Sequence, residues 1–400
     1  MTEKGRGMID FARGFMPALD AATATVRQTG NLDGAKVGIA LTLEPKTACL
    51  AEAVASLGAE VSVFGSGHST KTEVVDALTE EGIAVFAETG ADRVRVDLLR
   101  DRFIDVGNQY LCDDGASITR RLHRDRRDAL KHLKGVAEET TSGVRPLRVM
   151  EQNGVLEVPC IAVNDARSKV LFDNVYGTGQ SVVMAVLDAT NMQMSGASVV
   201  VVGYGKVGRG IAAAARGLGG RVTVTEIDPV AALRAHHDGF EVAPVADAIG
   251  QADFVITATG IAHTLTAEHV AKMREGTVIA VGGAGPPEFD PSIGPPLSGG
   301  DTVRPNVRAW RTPGGTTVFV VADGYCANTT AGEGNPIEIM DLSLALQLRA
   351  LDHLAGNDLP VGVHLLPDEI DDEVAASQLA ASGLVIDIPS QEQAEATRSW

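Results

Sequence analysis

Apolar and polar positions divide the chain into short alternating segments. Positions 36–43 read as a strand, 47–57 as a helix ended by Gly58, 60–64 as a strand, 71–80 as a helix and 83–87 as a strand again. That alternation predicts a parallel α/β sheet, because parallel neighbours need a crossover helix between them. A polar, turn-rich stretch covers 138–143, and 179–192 has the apolar spacing of a helix that links two regions. A second α/β alternation starts at 197 and runs to about 321. Positions 387–400 turn polar and carry little structural signal.

The chain has 400 residues, more than one hydrophobic core usually holds, so two domains are expected. Its net charge of −18 argues against a nucleic-acid partner, since phosphate contacts need a basic surface. The basic run Arg120, Arg121, Arg124, Arg126 and Arg127 is broken by Asp125 and Asp128 and reads as a solvated helix face. No run approaches the ~20 apolar residues of a membrane span. Near the N-terminus, Lys4, Arg6, Asp10 and Arg13 interrupt any apolar core, unlike a signal peptide. Cys49, Cys112, Cys160 and Cys326 form no CxxC pair, so neither disulfides nor zinc are expected, which fits a reducing cytoplasm. His236 and His237 are adjacent rather than one helical turn apart, and no metal site is expected.

The sharpest local signal follows the β-branched run at 197–202. It passes at once into Gly203-Tyr204-Gly205-Lys206-Val207-Gly208 and then a helix over 209–218. Glycines in turns are common, but here they stand between strand and helix. There the first permits a tight turn, the second lets a pyrophosphate approach the backbone, and the third lets helix pack on strand. The helix N-terminus then favours the phosphates. The next strand, 221–225, ends in Glu226, placed to grip the ribose of NAD and to repel the 2′-phosphate of NADP; Asp228 is the second choice. Strands at 254–257 and 278–281 lead into Ala258-Thr259-Gly260 and Gly282-Gly283, further loops at the carboxyl edge of a sheet.

Upstream stands VNDARSKVLFDNVYG at 163–177, and before it EETTSGV at 138–144. With GYGKVG at 203–208, TEIDP at 225–229, Asp323-Gly324 through Asn328 to Gly334, Pro336 and Met340, and HLLP at 364–367, this order of motifs resembles the adenosylhomocysteinase family over about 35–375. The resemblance implies two Rossmann-like domains. A substrate-binding domain would take 1–175 and return at 334–384. A doubly wound NAD-binding sheet would occupy 176–333, with a short tail at 385–400. It also implies a bound NAD that oxidises a ribose 3′-hydroxyl to a ketone, acidifying C4′–H so that a 5′-thiol can leave and water can add. Lys169 and Asp173, four apart, would share a face of a helical turn. If burial lowers its pKa, the lysine can take the 3′-hydroxyl proton. Glu139 would accept hydrogen bonds from the ribose, Asp114 would serve the C4′ side, and Asn174 would orient the nicotinamide or ribose. Thr140, Thr141, Ser142, Thr259, Gly260 and Asn328 would line the NAD site, Thr140 also touching substrate.

Departures from the family cluster at substrate recognition. Thr42 replaces a histidine near the 5′ side, and Glu44 and Lys46 replace the threonine and glutamate that recognise adenine. Swapping carboxylate for ammonium turns an acceptor into a donor, which suits a keto-bearing base. Lys71-Thr72 replaces a glutamine-aspartate pair near the amino-acid end, Ala284 and Asn335 replace two histidines, Thr178 a cysteine and Ser117 an aspartate. Met340 is kept on the substrate side. The family's C-terminal lysine and tyrosine, which reach a neighbouring subunit's NAD site, are missing, so weaker NAD retention is expected of a homodimer or homotetramer. Three readings result. The first is an NAD-dependent enzyme cleaving the 5′-thioether of S-adenosylhomocysteine or an analogue with another base. The second is a nucleoside oxidoreductase or epimerase of specialised metabolism, and the third a non-catalytic NAD-binding regulator.

Overall fold

A computed structural model describes residues 2–283, 285, 288, 289 and 301–397. The first half supplies β1 (Lys36–Ala40), β2 (Glu60–Phe64), β3 (Ala84–Phe86), β4 (Tyr110–Asp113), β5 (Gly135–Glu138) and β6 (Pro159–Ala162). The second supplies β7 (Ser198–Val202), β8 (Arg221–Thr225), β9 (Glu241–Val242), β10 (Phe254–Thr257), β11 (Val278–Val281), β12 (Asp301–Arg304), β13 (Val307–Arg311) and β14 (Thr317–Val321). The chain then returns through the helix Ile337–Gly356 and adds β15 (Gly362–His364) to the first sheet.

The sheets run β15-β6-β5-β4-β1-β2-β3 and β12-β13-β14-β11-β10-β7-β8-β9. All pairings are parallel except β12–β13 and β13–β14. Both sheets reverse their winding beside their first strand, between β1 and β4 and between β7 and β10, and ligands of doubly wound sheets bind at such switch points. Strands covered on both faces read as continuous apolar runs, which explains Val199–Val202, all buried between helices.

Several element bounds differ from the sequence reading. The helix after the glycine motif is Lys206–Gly217, starting at once after Gly205, whose extended backbone serves as its cap. Proline at the first turn moves another start back, to Pro45–Ala55. The polar C-terminal stretch contains a helix, Gln391–Ala396, closed by a reciprocal Ser390–Gln393 capping box. The arginine run is a solvated face: Arg121 pairs with Asp101, Arg124 with Asp125, and Arg126 with Asp105 and Asp128. All four cysteines are free. Among the described residues no helix is long and apolar enough to cross a membrane, and no cluster could hold a metal ion.

Candidate active site

The carboxyl ends of both sheets open into one cleft of about 1560 Å³. From the first sheet come Thr42 after β1, Asp114 after β4, Glu139 and Thr140 after β5, and Asn164 after β6. From the second come Gly205 after β7, Thr259 and Gly260 after β10, and Gly282 after β11. Thr141, Ser142, Lys169, Asp173, Asn174, Lys206, Val207, Asn328, Asn335 and Met340 line the same space.

Lys169 is buried, in the short helix Arg167–Val170, and Asp173 opens a π-helical turn over Asp173–Gly177. Such a widened turn often marks a functional site. Lys169 Nζ lies 2.8 Å from Asp173 Oδ2 and 3.7 Å from Glu139 Oε1, and donates to Asn174 Oδ1 at 3.0 Å and Asn164 Oδ1 at 3.3 Å. Burial alone would lower the lysine's pKa. The charges of Asp173 and Glu139, the hydrogen bond to Asp173 and the charge of Asp114 outweigh it and raise the pKa above the ordinary value. The expectation of a lysine depressed by burial is therefore reversed: Lys169 rests as an ammonium. Burial pushes Glu139 up, while Lys169 draws it down. Asp114 is likewise raised by burial, against a hydrogen bond from the Thr140 hydroxyl.

Asn335, which lines the cleft, is also held by four side-chain hydrogen bonds. Its Nδ2 donates to Asp173 Oδ1 at 2.6 Å and Thr178 Oγ1 at 3.1 Å, and its Oδ1 accepts from Ser181 Oγ at 2.7 Å and Asn328 Nδ2 at 2.8 Å. It ties the carboxylate to the helix Thr178–Thr190. Glu44 and Lys46 are both buried, with Lys46 Nζ 2.9 Å from Glu44 Oε2 and 2.8 Å from the Glu333 carbonyl oxygen. Glu44 forms cleft wall; Lys46 stands against it without lining the cleft. Gly334 leaves room for this pair, since a Cβ there would lie 2.4 Å from Glu44 Oε2. Lys71 pairs with Glu333 at 2.9 Å, and Ala284 lies outside the described residues.

At the second sheet, Gly203 takes φ 97° and packs against the Ala258–Thr259 turn, and Gly205 faces open space. Glu226 Oε2 accepts from the Tyr204 amide at 2.6 Å, directly beside the glycine turn. Asp228 instead caps the helix Pro229–His237, accepting from Val230 and Ala231 amides. A buried Glu288 carboxylate braces the next turn through Thr259 N, Thr259 Oγ1 and Gly260 N.

The model of the S-adenosyl-L-homocysteine hydrolase NAD-binding domain matches residues 174–334, and that of S-adenosyl-L-homocysteine hydrolase matches 1–131. The adenosylhomocysteinase of Thermotoga maritima is 42% identical over 99% of both chains. The S-inosyl-L-homocysteine hydrolase of Methanopyrus kandleri is 41% identical over 100% of this chain and 96% of its own. That of Methanosarcina mazei is 39% identical over 100% and 98%. The chain belongs to the S-adenosyl-L-homocysteine hydrolase family. It is an enzyme of that hydrolase type, and NAD is its cofactor.

The residues of this family member fit a dinucleotide. A bare backbone at Gly205 leaves room for a pyrophosphate at the N-terminus of the helix Lys206–Gly217, and Glu226 is bound to the Tyr204 amide of the same turn. Gly208 closes the motif: a Cβ there would sit 1.9 Å from the Gly203 carbonyl oxygen. Gly208→Ala must push the turn aside at roughly 1–3 kcal/mol, so about a tenfold or greater loss of NAD affinity is expected. Cofactor content after dialysis measures it, and an unchanged content would remove the motif from the binding site.

Sequence reasoning missed the residues that hold this cluster from behind. Ser343 Oγ and Gln347 Nε2, one turn apart on the helix Ile337–Gly356, donate to Glu139 at 2.7 and 2.6 Å. Asp371 accepts from the Arg167 and Ser168 amides and the Ser168 hydroxyl, capping the short helix that carries Lys169. Asn164 gathers Lys169, Thr141 and Asn174. Only Asn164 gave a signal, inside the 163–177 motif. The others lie some 200 residues away from their partners.

Proposed function

We propose that this chain catalyses reversible hydrolysis of the 5′-thioether of a nucleosyl-L-homocysteine, preferring S-inosyl- to S-adenosyl-L-homocysteine. The observation that carries the base preference is the buried Glu44 carboxylate at the cleft wall, braced from behind by Lys46 at 2.9 Å. Where the family resemblance puts a threonine and a glutamate for adenine, this chain has a carboxylate and an ammonium. Hypoxanthine offers an N1–H donor beside a C6 keto acceptor, and the Glu44 carboxylate can accept from that N1–H while Lys46 behind it fixes its position. Adenine offers the reverse, an N1 acceptor beside a C6 amino donor. Two of the relatives above are named for the inosyl compound.

Bound NAD supplies reversible oxidation of the ribose 3′-position to a ketone. Lys169, charged and held by Asp173 and Glu139, steadies negative charge on the 3′-oxygen and exchanges a proton with it. Glu139 accepts from the ribose hydroxyls, and Asn174 orients the ring. Asp114 removes and returns the C4′ proton; its raised pKa brings it nearer the working range of a general base. Thr140, Thr141, Ser142, Thr259, Gly260 and Asn328 hold the dinucleotide. Residues 1–175 and 334–384 form the substrate side, 176–333 the NAD side and 385–400 a tail. The assembly is a homodimer or homotetramer in the cytoplasm. Neither an epimerase nor a silent regulator gains support from the family relationship.

The test is kcat/KM for the two thioethers, read by homocysteine release. About a hundredfold or greater preference for the inosyl compound is expected, since a site built on polar pairs rejects mismatched edges strongly. Equal or better use of the adenosyl compound overturns the base assignment.

A further inference from the structure

Among the described residues the cleft is lined by one histidine, His68. The family resemblance implies imidazoles elsewhere, at the places now held by Thr42, Ala284 and Asn335. His68 lies in the loop after β2, and that loop packs on the residues following β1. The Lys71 amide donates to the Leu43 carbonyl at 3.3 Å, and a Cβ at Gly65 would lie 2.9 Å from Leu43 Cβ. Its ring stacks on Tyr325 across the cleft, centroids 4.3 Å apart at 17°. The turn that presents Tyr325 is strained: Ala322, Asp323 and Gly324 have φ of 55°, 52° and 80°, and Asp323 is held by Arg308. Left-handed non-glycine residues in succession persist only where the surroundings enforce them, and they gather at functional sites.

Asp114 belongs to the same end of the cleft. The thiol of Cys326, next to Tyr325, is pushed up to about 12 by burial and then by the charge of Asp114. Thr42, His68, Asp114 and Tyr325 all line the cleft. Neither ring nitrogen of His68 has a hydrogen-bond partner among the described residues. The surrounding walls also lower its pKa, leaving a free lone pair at neutral pH.

We propose that His68 is a catalytic residue of the 5′ half-reaction, the base that activates water at C5′; this rests on the hydrolase reading above. In the first half, Asp114 takes the C4′ proton, the C–H pair forms C4′=C5′, and the C5′–S bond breaks with its pair on sulphur. The thiolate takes a proton from solvent. In the second half, water oxygen bonds to C5′ while one water proton passes to the imidazole nitrogen. The π pair returns to C4′ and recovers the proton held by Asp114. The imidazolium then releases its proton to solvent, so the cycle closes. Stacking on Tyr325 fixes the plane of the ring at the cleft wall.

The experiment separates the two halves. Holoenzyme is incubated with inosine in heavy water enriched in oxygen-18, and deuterium at C4′ and label at the 5′-oxygen are followed. His68→Ala is expected to keep C4′ exchange within about threefold of wild type and to lose about a hundredfold in 5′-oxygen exchange. Retained C4′ exchange shows that the variant is folded and loaded, and His68→Gln, similar in size but unable to take the proton, repeats the pattern. The assignment is overturned if 5′-oxygen exchange survives within threefold, or if both signals fall together in both variants. Wild-type enzyme that exchanges C4′ with neither inosine nor adenosine would instead sink the hydrolase reading itself.

Discussion

Lys169→Met is expected to lower turnover by roughly 10³-fold, within the 10²–10⁴ that a positioned proton-transfer group contributes. The side chain is buried and placed against Asp173, Glu139, Asn164 and Asn174, so nothing else in the cluster can supply its charge. C4′ deuterium exchange should vanish with turnover, because both require the 3′-oxidation. NAD content should persist, since the glycine turn and Glu226 are untouched. Stability should also drop, by about 3–5 kcal/mol, as removing one partner of a buried pair leaves charge uncompensated. The pH dependence has a definite sign. Glu139 is already raised by burial and loses the ammonium that draws it down. A carboxyl raised in the folded state adds stability when protonated and loses it as pH rises through the folded pKa, so the deficit of the variant should shrink on acidification. Lys169→Arg keeps a charge but cannot release a proton. Arginine activity near that of wild type would show that Lys169 acts through charge alone, and methionine activity within tenfold would remove it from the chemistry.

The resting charge of Lys169 marks where reading the sequence stops. Spacing put Lys169 and Asp173 on one helical face, and they meet there at 2.8 Å. The direction of the pKa depends on how many carboxylates surround the amine, and Glu139 and Asp114 arrive from other strands. The α/β alternation was legible because inner strands such as β4, β7 and β10 are buried nearly along their whole length and read as continuous apolar runs, a local property. Likewise Glu226 could be placed from its distance beyond the glycine turn, and Tyr204 N donates to it. The partners of Asn335 were illegible for the opposite reason. Substitution of a histidine by a smaller amide spoke only of the substrate side, whereas the side chain, lining the cleft, also binds Asp173 and Ser181 from other segments. Ser343, Gln347, Asp371 and His68 were silent because their roles exist only once the returning segment or a facing loop has docked.

Glu44→Thr together with Lys46→Glu should reverse the base preference, raising kcat/KM for the adenosyl thioether over the inosyl one by about 10²–10⁴ relative to wild type. The change removes the carboxylate acceptor that lines the cleft together with the ammonium that braces it, and a charged hydrogen bond lost with one base or gained with the other is worth roughly 1.5–3 kcal/mol. The pair must move together. Lys46→Glu alone would set a second carboxylate beside Glu44, where an ammonium now sits 2.9 Å from Glu44 Oε2, and Lys46→Met would strand Glu44, whose pKa burial already raises. Either single change is therefore expected to cost stability and activity on both substrates, and only the double variant isolates recognition. Gly334 limits what the double variant can hold, because Glu44 occupies the space a side chain there would take, and threonine leaves it freer. Among the described residues the 3′-oxidation cluster makes no direct hydrogen bond to Glu44 or Lys46 and meets them only through the 333–335 segment, so kcat on the preferred thioether should stay within about tenfold of wild type while discrimination inverts. A double variant that still prefers the inosyl compound would mean that the base is read elsewhere in the cleft.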